Sequence, residues 1–480
     1  MKKNIILLFL FLVAISAGCK KFVQIPPPKA SITTSQVFAD SADATAAING
    51  IYNTIAHEND GYNGGFANSL MTAFAGESAD ELLPYALGDD DAAMSTNTVL
   101  ASNNNTLRFW LQGYPYIYKA NACIEGLRAS TGVSQTLKNK LIAEAMWFRA
   151  FVNFYLVNLY GNIPLITTTN YQSNALSYNT PPAQVYQSII GDLQYAQNTL
   201  PGDFSAGGGE RIRVNKGAAT ALLARVYLYY ASMGNAGYYA KADSAASSVI
   251  GNTGTYSLVS NLNNVFLANS TEAILQWQNS SSNQNTYNGT SEGWRFVPYD
   301  GGEPPNEYYL SDPLLGAFEK GDHRKIAWLD SSNYSGTTYY YPYKYKVGAA
   351  EAQQGAPVTE YYTVLRLAEQ YLIRAEANAN SGNLAPAISD LNIIRNRAGL
   401  PALTLTLNKT QVLAAVAQER RIELFAEWGH RWFDLKRTGQ VAVVFSGIPY
   451  KSAYKPFQQL YPIPITELET DPNLRQNPGY

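Results

Sequence analysis

The feature that most constrains this chain is a three- and four-residue spacing of apolar side chains, which recurs in at least seven segments. Such spacing puts the apolar residues on one face of a helix, so each segment must bury that face against a neighbour. The stripe is clearest in residues 134–160, which Gly161 and Pro164 end. The sequence therefore predicts a mostly α-helical protein.

Residues that cap helices mark several helix starts. Thr180, which precedes two prolines, predicts an N-cap with proline in the first turn of a helix that runs to about Leu200. Asn215 predicts the cap of a helix over residues 216–231. Asn408 opens a capping-box sequence for a helix through residue 426.

The predicted helices come in pairs. Residues 364–398 contain two apolar stripes joined by a turn at Gly382, with the small residues Ala375 and Ala387 near the crossing. This arrangement is similar to a tetratricopeptide hairpin. Comparable pairs are predicted over 107–160 and 181–231, and residues 236–251 are expected to find a distant partner. The predicted architecture is a superhelix of about four tetratricopeptide-like helix pairs.

Helical periodicity fades between residues 251 and 360, where Gly, Pro, Asn, Ser and Tyr dominate. Residues 273–277 and 339–345 have the composition of short strands, but loops are expected to prevail. The sequence thus predicts a helical scaffold over 37–250 and 361–480 that supports an irregular, loop-rich binding lobe over about 251–360.

The N-terminus predicts export. Two lysines precede an apolar run over residues 5–15, which is too short to cross a bilayer as a helix and is typical of a signal peptide, residues 1–18. Cys19 follows small residues and is predicted to be lipidated; the alternative is ordinary cleavage that leaves a free protein. Residues 19–36, with three consecutive prolines, are predicted to form an extended tether.

Composition excludes some functions. With 46% hydrophobic and 15% charged residues, the mature chain is typical of a globular protein. A formal net charge of −2 gives no reason to expect a nucleic-acid partner. Once Cys19 carries lipid, Cys123 has no cysteine partner, so no disulfide is expected.

Long motifs resemble the SusD/RagB family of nutrient-binding lipoproteins across nearly the whole mature chain. In the N-terminal half they are FWLQGYPYIYKANACIEGL from Phe109, AEAMWFRAFVNFYLVNLYGNIPLI from Ala143 and KGAATALLARVYLYYASM from Lys216. In the C-terminal half they are VLRLAEQYLIRAEANANSG from Val364, LNIIRNRAGLP from Leu391, ERRIELFAEWGHRWFDLKRTG from Glu419 and LYPIPITELETDPNLRQNPGY from Leu460. The aromatic-rich lobe resembles the family least.

This resemblance implies a non-enzymatic outer-membrane lipoprotein that captures glycan and delivers it to a SusC-like TonB-dependent transporter. It implies attachment to outer-membrane lipid through acylated Cys19 and display toward the cell exterior. Family members associated with peptide uptake make peptide an alternative ligand. The chain departs from many surface-exposed lipoproteins of such bacteria, because Lys20, Lys21 and Phe22 follow the cysteine instead of acidic residues.

No catalytic residue, metal site or cofactor is predicted. The charged cluster over residues 419–437 has Glu and Arg at helical steps with aromatics between them, which favours packed ion pairs. The three histidines are far apart, and residues 89–91, all Asp, are expected to form a solvated turn and not a calcium loop. Glu303 and Glu307 have a possible glycosidase spacing, so a surface glycoside hydrolase remains an alternative, as does a scaffold for protein partners.

Aromatic residues make up 12% of the chain and include 35 tyrosines. Sugar rings present C–H faces that stack on aromatic planes, while tyrosine hydroxyls bond sugar hydroxyls. The lobe aromatics with few helical faces to fill are Trp294, Phe296, Tyr299, Trp328, Tyr339, Tyr340, Tyr341 and Tyr343. The predicted ligand-binding residues are Trp294 and Trp328 first, then Tyr299 and Tyr341, with Tyr85 as a more distant candidate.

Overall fold

A computed structural model describes residues 34–57, 65–280 and 286–480. The predicted signal peptide, the predicted lipidation site at Cys19 and the predicted tether up to residue 33 lie outside these residues. Thr34–Val37 is already helical, so the predicted extended tether does not reach residue 36.

Helices dominate the first half of the chain. They are α1 (Thr34–Val37), α2 (Ser41–His57), a π turn (Phe66–Leu70), α3 (Met71–Ser78), α4 (Asp89–Thr96), α5 (Asn104–Ala129), α6 (Gln135–Tyr160), α7 (Tyr171–Asn174), α8 (Pro182–Thr199), α9 (Lys216–Ser232) and α10 (Tyr238–Ile250). Three short strands lie among them: β1 (Leu82–Pro84), β2 (Ile163–Pro164) and β3 (Asn179–Thr180).

The second half mixes short strands with helices. The lobe contains β4 (Ala273–Trp277), α11 (Ser291–Phe296), β5 (Tyr308–Leu310), α12 (Asp312–Leu315), α13 (His323–Trp328), β6 (Leu329–Tyr334) and β7 (Thr337–Pro342). After it come β8 (Tyr362–Arg366), α14 (Leu367–Asn380), α15 (Leu384–Arg397), α16 (Lys409–Glu423), α17 (His430–Arg437), α18 (Val441–Phe445) and α19 (Ile465–Thr470).

The long helices pack in series, in the order α5, α6, α8, α9, α10, α14, α15 and α16. Taken two at a time they form four helix pairs, which confirms the predicted tetratricopeptide-like superhelix. The predicted distant partner of residues 236–251 is α14, since α10 packs against it although the whole lobe separates them in sequence. Ala375 and Ala387 are fully buried where α14 meets α15, as their small size predicted.

Most predicted helix starts are confirmed. The Asn215 side chain accepts from the Ala218 amide at 2.9 Å, and Asn408 and Gln411 form a reciprocal capping box. Thr180 was the wrong cap: it pairs with Ile163 in a two-stranded ladder, and the helix begins only at Pro182.

The C-terminal bound of α16 was also predicted wrongly. The helix ends at Glu423, not at residue 426. Ala426 has a φ of 47° and Trp428 a φ of 50°, a left-handed backbone conformation that a right-handed helix cannot contain.

An aromatic core joins the scaffold to the lobe. Trp277 of β4 lies 5.9 Å from Phe148 and 6.1 Å from Trp147, ring centroid to ring centroid. Its Nε1 donates to the Ala67 carbonyl at 3.0 Å, which satisfies the indole inside the core. The lobe therefore begins from a strand that is anchored in the scaffold.

The lobe is entered and left through one pair of strands, here called the neck: β4 and β8, antiparallel, with Trp277 opposite Tyr362. The strand predicted over 273–277 is confirmed. The second predicted strand is shifted, since β7 covers 337–342 and forms a hairpin with β6. A further ladder joins β1 of the scaffold to β5 of the lobe.

A buried set of charges, here called the ionic seam, holds the lobe against the C-terminal helices. Its members have side chains that are at most 7% exposed, and they are Glu272, Arg324, Lys344, Arg366, Arg397, Glu419, Glu423 and Glu427. Arg366 Nη1 lies 2.7 Å from Glu423 Oε1, and Arg366 Nε lies 2.8 Å from Glu427 Oε2. Arg324 of the lobe reaches Glu419 Oε2 at 3.0 Å. The prediction that the 419–437 cluster forms packed ion pairs is confirmed.

Paired cations keep two of the seam carboxylates, Glu423 and Glu427, ionised. Burial alone would raise the pKa of Glu423, but Arg397, Arg366 and Arg324 hold it far below its usual range. Glu427 behaves in the same way, with its pKa lowered by Arg366 and Lys344 against the opposing effect of burial. Within the part of the chain that the structure describes, no helix combines the length and apolarity needed to span a membrane.

Candidate functional site

Three tyrosines from separate segments meet on the lobe. Tyr85 follows β1, Tyr309 lies on β5, and Tyr339 lies on β7. The Tyr339 ring contacts Tyr85 at 5.4 Å and Tyr309 at 5.2 Å between centroids, both edge to face. All three side chains are half-buried, so ring faces and hydroxyls remain partly open.

Strand alternation explains why this cluster faces one way. Residues two apart on a strand share a face, so Tyr339 and Tyr341 point to the same side of the β6–β7 hairpin. Tyr334 lies on that face at the hairpin end and is 38% exposed. Partial burial, then the neighbouring Tyr339 and Tyr334, raises the pKa of the Tyr85 phenol. Its hydroxyl therefore remains a proton donor at neutral pH.

Trp294 lies on the short helix α11. The Thr290 side chain caps the helix by accepting from the Gly293 amide at 2.9 Å. A Cβ on Gly293 would come within 2.4 Å of the Val347 carbonyl oxygen, so the close approach requires glycine. The Trp294 ring is half-buried and lies 6.4 Å from Tyr287. It was expected on a loop, but a six-residue helix presents it.

A loop over residues 299–307 connects Trp294 to the tyrosines. The Asn306 side-chain amide donates to the Trp294 carbonyl at 2.5 Å, and the Tyr85 amide donates to the Glu307 carbonyl at 2.8 Å. The Asn333 amide of the hairpin donates to the Gly301 carbonyl at 2.9 Å. We define the aromatic surface as Tyr85, Trp294, Tyr299, Tyr309, Tyr334 and Tyr339.

The predicted ligand-binding residues have different positions in the structure. Tyr299 is 64% exposed at the start of the loop, and Trp294 and Tyr85 are half-buried. Tyr341 shares the hairpin face with Tyr339 but is only 7% exposed and contacts Tyr343. The sequence thus placed three of its five candidates on the aromatic surface and one at its covered edge.

Trp328 was the wrong candidate for a surface ring. It is fully buried, its Nε1 donates to the Leu262 carbonyl at 2.9 Å, and Phe266 packs edge to face against it at 5.8 Å. The Lys344 ammonium of the ionic seam lies 4.7 Å from its ring centroid. Trp328 belongs to the junction between lobe and scaffold, where a sugar cannot reach it.

Three members of the surface were not among the predicted ligand-binding residues: Tyr309, Tyr334 and Tyr339, of which only Tyr339 was considered as a lobe aromatic. The position of Tyr309 depends on the pairing of Leu82 with Leu310, which is not local in sequence, and the position of Tyr334 depends on the register of the β6–β7 hairpin. The signal that was available is the period-two alternation of β7, which puts Tyr339 and Tyr341 on one face.

The acidic residues considered in the sequence analysis have different surroundings in the structure. Residues 89–91 begin helix α4 and are not a turn, and Asp91 accepts from the Tyr308 hydroxyl at 3.1 Å. No group of three metal-ligating side chains occurs in residues 34–57, 65–280 and 286–480. Glu307 forms an ion pair with Arg295, whereas Glu303 is exposed.

A helical-repeat scaffold with a tyrosine-rich lobe inserted between two helices of one pair defines the class of this protein. The sequence model of the SusD family matches residues 167–480. A second model, described as starch-binding associating with outer membrane, matches residues 28–228. The chain belongs to the SusD family.

Relatives match over most of their length. A SusD-like protein of Formosa agariphila is 28% identical, with 98% of this chain and 99% of the relative covered. The starch-binding protein SusD of Bacteroides thetaiotaomicron is 24% identical, with 72% and 74% covered.

Solved structures agree on the fold. A SusD superfamily protein from Parabacteroides distasonis has a TM-score of 0.77 at 24% identity, covering 94% of this chain and all of the other. A laminarin-binding SusD-like protein has a TM-score of 0.74 at 26% identity, covering 92% of this chain and all of the other.

Proposed function

We propose that this protein binds glycan on the aromatic surface at the outer membrane and delivers it, without catalysis, to a SusC-like TonB-dependent transporter. The observation that carries the proposal is the convergence of Tyr85, Tyr309 and Tyr339, whose partly open rings come from three separate segments. Their faces suit the C–H faces of sugars, and their hydroxyls suit sugar hydroxyls.

The relatives support a glycan over a peptide. One is named for binding starch and one for binding laminarin, and both names denote polysaccharides. The second matching family model carries association with the outer membrane in its description. Peptide, the alternative ligand within the family, has no comparable support from the named relatives.

Mutation of Tyr339 tests the binding site, because this ring touches two others of the surface. Tyr339→Ala should weaken binding of the glycan selected from a panel by about 1 to 3 kcal/mol, the usual value of a well-placed aromatic anchor. Tyr178→Ala, which removes a 70% exposed tyrosine from the scaffold, is the matched control and should bind as wild type.

Calorimetry on both variants measures the difference. If Tyr339→Ala and wild type bind the glycan with equal affinity, the aromatic surface is not the binding site. Release of shorter sugars from the bound glycan would establish a hydrolase instead, and capture of peptides with no glycan bound would establish the peptide alternative.

The anchor is tested separately at Cys19. Stable membrane attachment needs two or more acyl chains, because each buried methylene contributes only about 0.8 kcal/mol. Cys19→Ala should therefore release the protein from the outer-membrane fraction, measured in cells that lack the adjacent transporter so that docking does not retain it. Unchanged fractionation in those cells would exclude lipid as the anchor.

A further inference from the structure

Charge is distributed unevenly between lobe and scaffold. Residues 251–360 contain eleven acidic and six basic side chains, whereas the rest of the chain contains 26 acidic and 29 basic. The lobe is therefore net negative and the remainder net positive. Much of the lobe's positive charge is also unavailable to a ligand, because Arg324 and Lys344 are buried in the ionic seam.

Carboxylates border the aromatic surface. Asp300 and Glu303 are exposed on the 299–307 loop, and Asp300 Oδ1 accepts from the Gly302 amide at 2.6 Å, which holds the loop in a turn. Asp330 is exposed opposite Tyr341, on the hairpin face that carries Tyr339. A ligand that covers these rings passes beside three negative charges.

The basic groups near the surface are already engaged. Arg295 forms an ion pair with Glu307, and the charge of Arg108 acts on the same carboxyl. Lys346 donates through Nζ to the carbonyls of Ala327 and Tyr343, both at 2.6 Å, and lies 4.0 Å from the Tyr343 ring centroid. Each of these cations therefore already interacts with other groups of the protein instead of being available to an anionic sugar.

The exposed bases lie elsewhere. Among the described residues of the lobe, Lys320 and Lys325 are the exposed ones. Both belong to the end of the lobe next to the scaffold, where the His323 amide donates to the Ala398 carbonyl and Glu319 pairs with Arg395. The aromatic surface therefore has an acidic border without an exposed basic side chain from the described lobe to offset it.

We infer that the aromatic surface selects neutral glycans and rejects sulfated or uronate-rich ones, with Asp300, Glu303 and Asp330 as the specificity-determining residues. The inference rests on the proposed function and deepens it by naming the class of glycan. Like charges repel most strongly at low ionic strength, because the screening length is about 30 Å at 0.01 M salt and about 3 Å at 1 M.

The experiment uses matched neutral and anionic polysaccharides, laminarin with sulfated laminarin and amylopectin with carboxymethyl amylopectin, and the purified full chain. For each neutral polysaccharide that binds, its anionic partner should bind at least tenfold more weakly in 10 mM salt. The ratio of the two affinities should be smaller in 1 M salt. The variant Asp300→Asn/Glu303→Gln/Asp330→Asn should bind the anionic partner several-fold more tightly than wild type does. Its affinity for the neutral member should not change.

The control variant, Asp43→Asn/Asp203→Asn/Glu469→Gln, removes the same number of exposed carboxylates from the scaffold. It should keep the wild-type preference, which separates a local effect from one of net charge. Equal or tighter binding of the anionic partner by wild type would overturn the inference while the proposed function stands. If wild type binds neither member of any pair, both the inference and the proposed function are contradicted.

Discussion

The ionic seam and the aromatic surface both include residues of the lobe. Each region has a tryptophan, and the two tryptophans have different surroundings. At the seam, Trp328 is covered by Phe266 and Lys344, and its indole proton is satisfied by a backbone carbonyl. At the surface, Trp294 is half open on a six-residue helix. The difference teaches that the surroundings of an aromatic side chain, and not its membership of an irregular segment, decide whether it can meet a ligand.

The two regions also differ in how their polar groups are satisfied. Every seam carboxylate is matched by guanidinium or ammonium groups inside the protein, so removing one partner leaves buried charge without compensation. The surface keeps hydroxyls partly open, so loss of one ring exposes little. The seam should therefore control stability and the surface should control affinity.

The largest expected effect is at the seam. Glu423→Ala leaves Arg324, Arg366 and Arg397 with unbalanced positive charge in the interior and should cost about 3 to 5 kcal/mol of unfolding free energy. Denaturant unfolding measures this. Glu469→Ala, at an exposed scaffold carboxylate, should change stability by less than about 0.5 kcal/mol. A similar small cost for both variants would contradict the role given to the seam.

The helix pairs come next. Leu372 and Leu391 are fully buried in the core between α14, α15 and α16. Each substitution to Ala should cost about 2 to 5 kcal/mol through lost burial and the cavity left behind. Glycan affinity of the folded fraction should stay at the wild-type value. A selective loss of affinity without loss of stability would place binding on the helices instead.

A pH effect is expected at Glu292, which is buried on α11 and accepts from the Tyr362 hydroxyl at 2.8 Å. Burial raises the pKa of Glu292 to about 8 from an ordinary value of 4.5. Between these values the folded protein holds a proton that the unfolded chain releases, so this group's contribution to stability falls as pH rises through that window.

Glu292→Gln removes that titration while keeping an acceptor for Tyr362. From pH 5 to pH 8, the stability of wild type relative to this variant should fall by roughly 3 kcal/mol. Thermal or denaturant unfolding across that range gives the slope. Parallel curves for the two proteins would show that Glu292 titrates normally.

The smallest expected effect on stability is at Trp294. Trp294→Ala should weaken glycan binding by about 1 to 3 kcal/mol and barely change the melting temperature, because the ring is half open. Trp328→Ala is the matched comparison and should cost about 3 to 5 kcal/mol of stability. If the two variants unfold alike, the contrast between surface and seam fails.

Local signals predicted the scaffold well. The caps at Asn215 and Asn408 are set by residues three positions away, so a single sequence reveals them. Thr180 failed because a strand partner, Ile163, outcompeted the helix start. Trp328 failed for the same kind of reason: Leu262 and Phe266, which bury it, are distant in sequence.

The candidate site was predictable in composition but not in arrangement. The excess of aromatic residues in the lobe pointed to Trp294 and Tyr299, and Tyr85 was a separate, more distant candidate, whereas the positions of Tyr309 and Tyr334 depend on the pairing of β5 with β1 and of β6 with β7. The pairing of β1 with β5 is long-range in sequence, and helical periodicity carries no information about the register of either pair.

The neck allows the lobe to be exchanged as one continuous segment of the chain. Because Trp277 and Tyr362 stand opposite each other in an antiparallel pair, the segment between them departs and returns at neighbouring positions. A lobe from a relative grafted at these two positions would meet an unchanged scaffold. It would also have to bring cations equivalent to Arg324 and Lys344, since these two side chains pair with Glu419, Glu423 and Glu427 of the C-terminal region. Diversification of the ligand surface is thereby coupled to conservation of two buried positive charges.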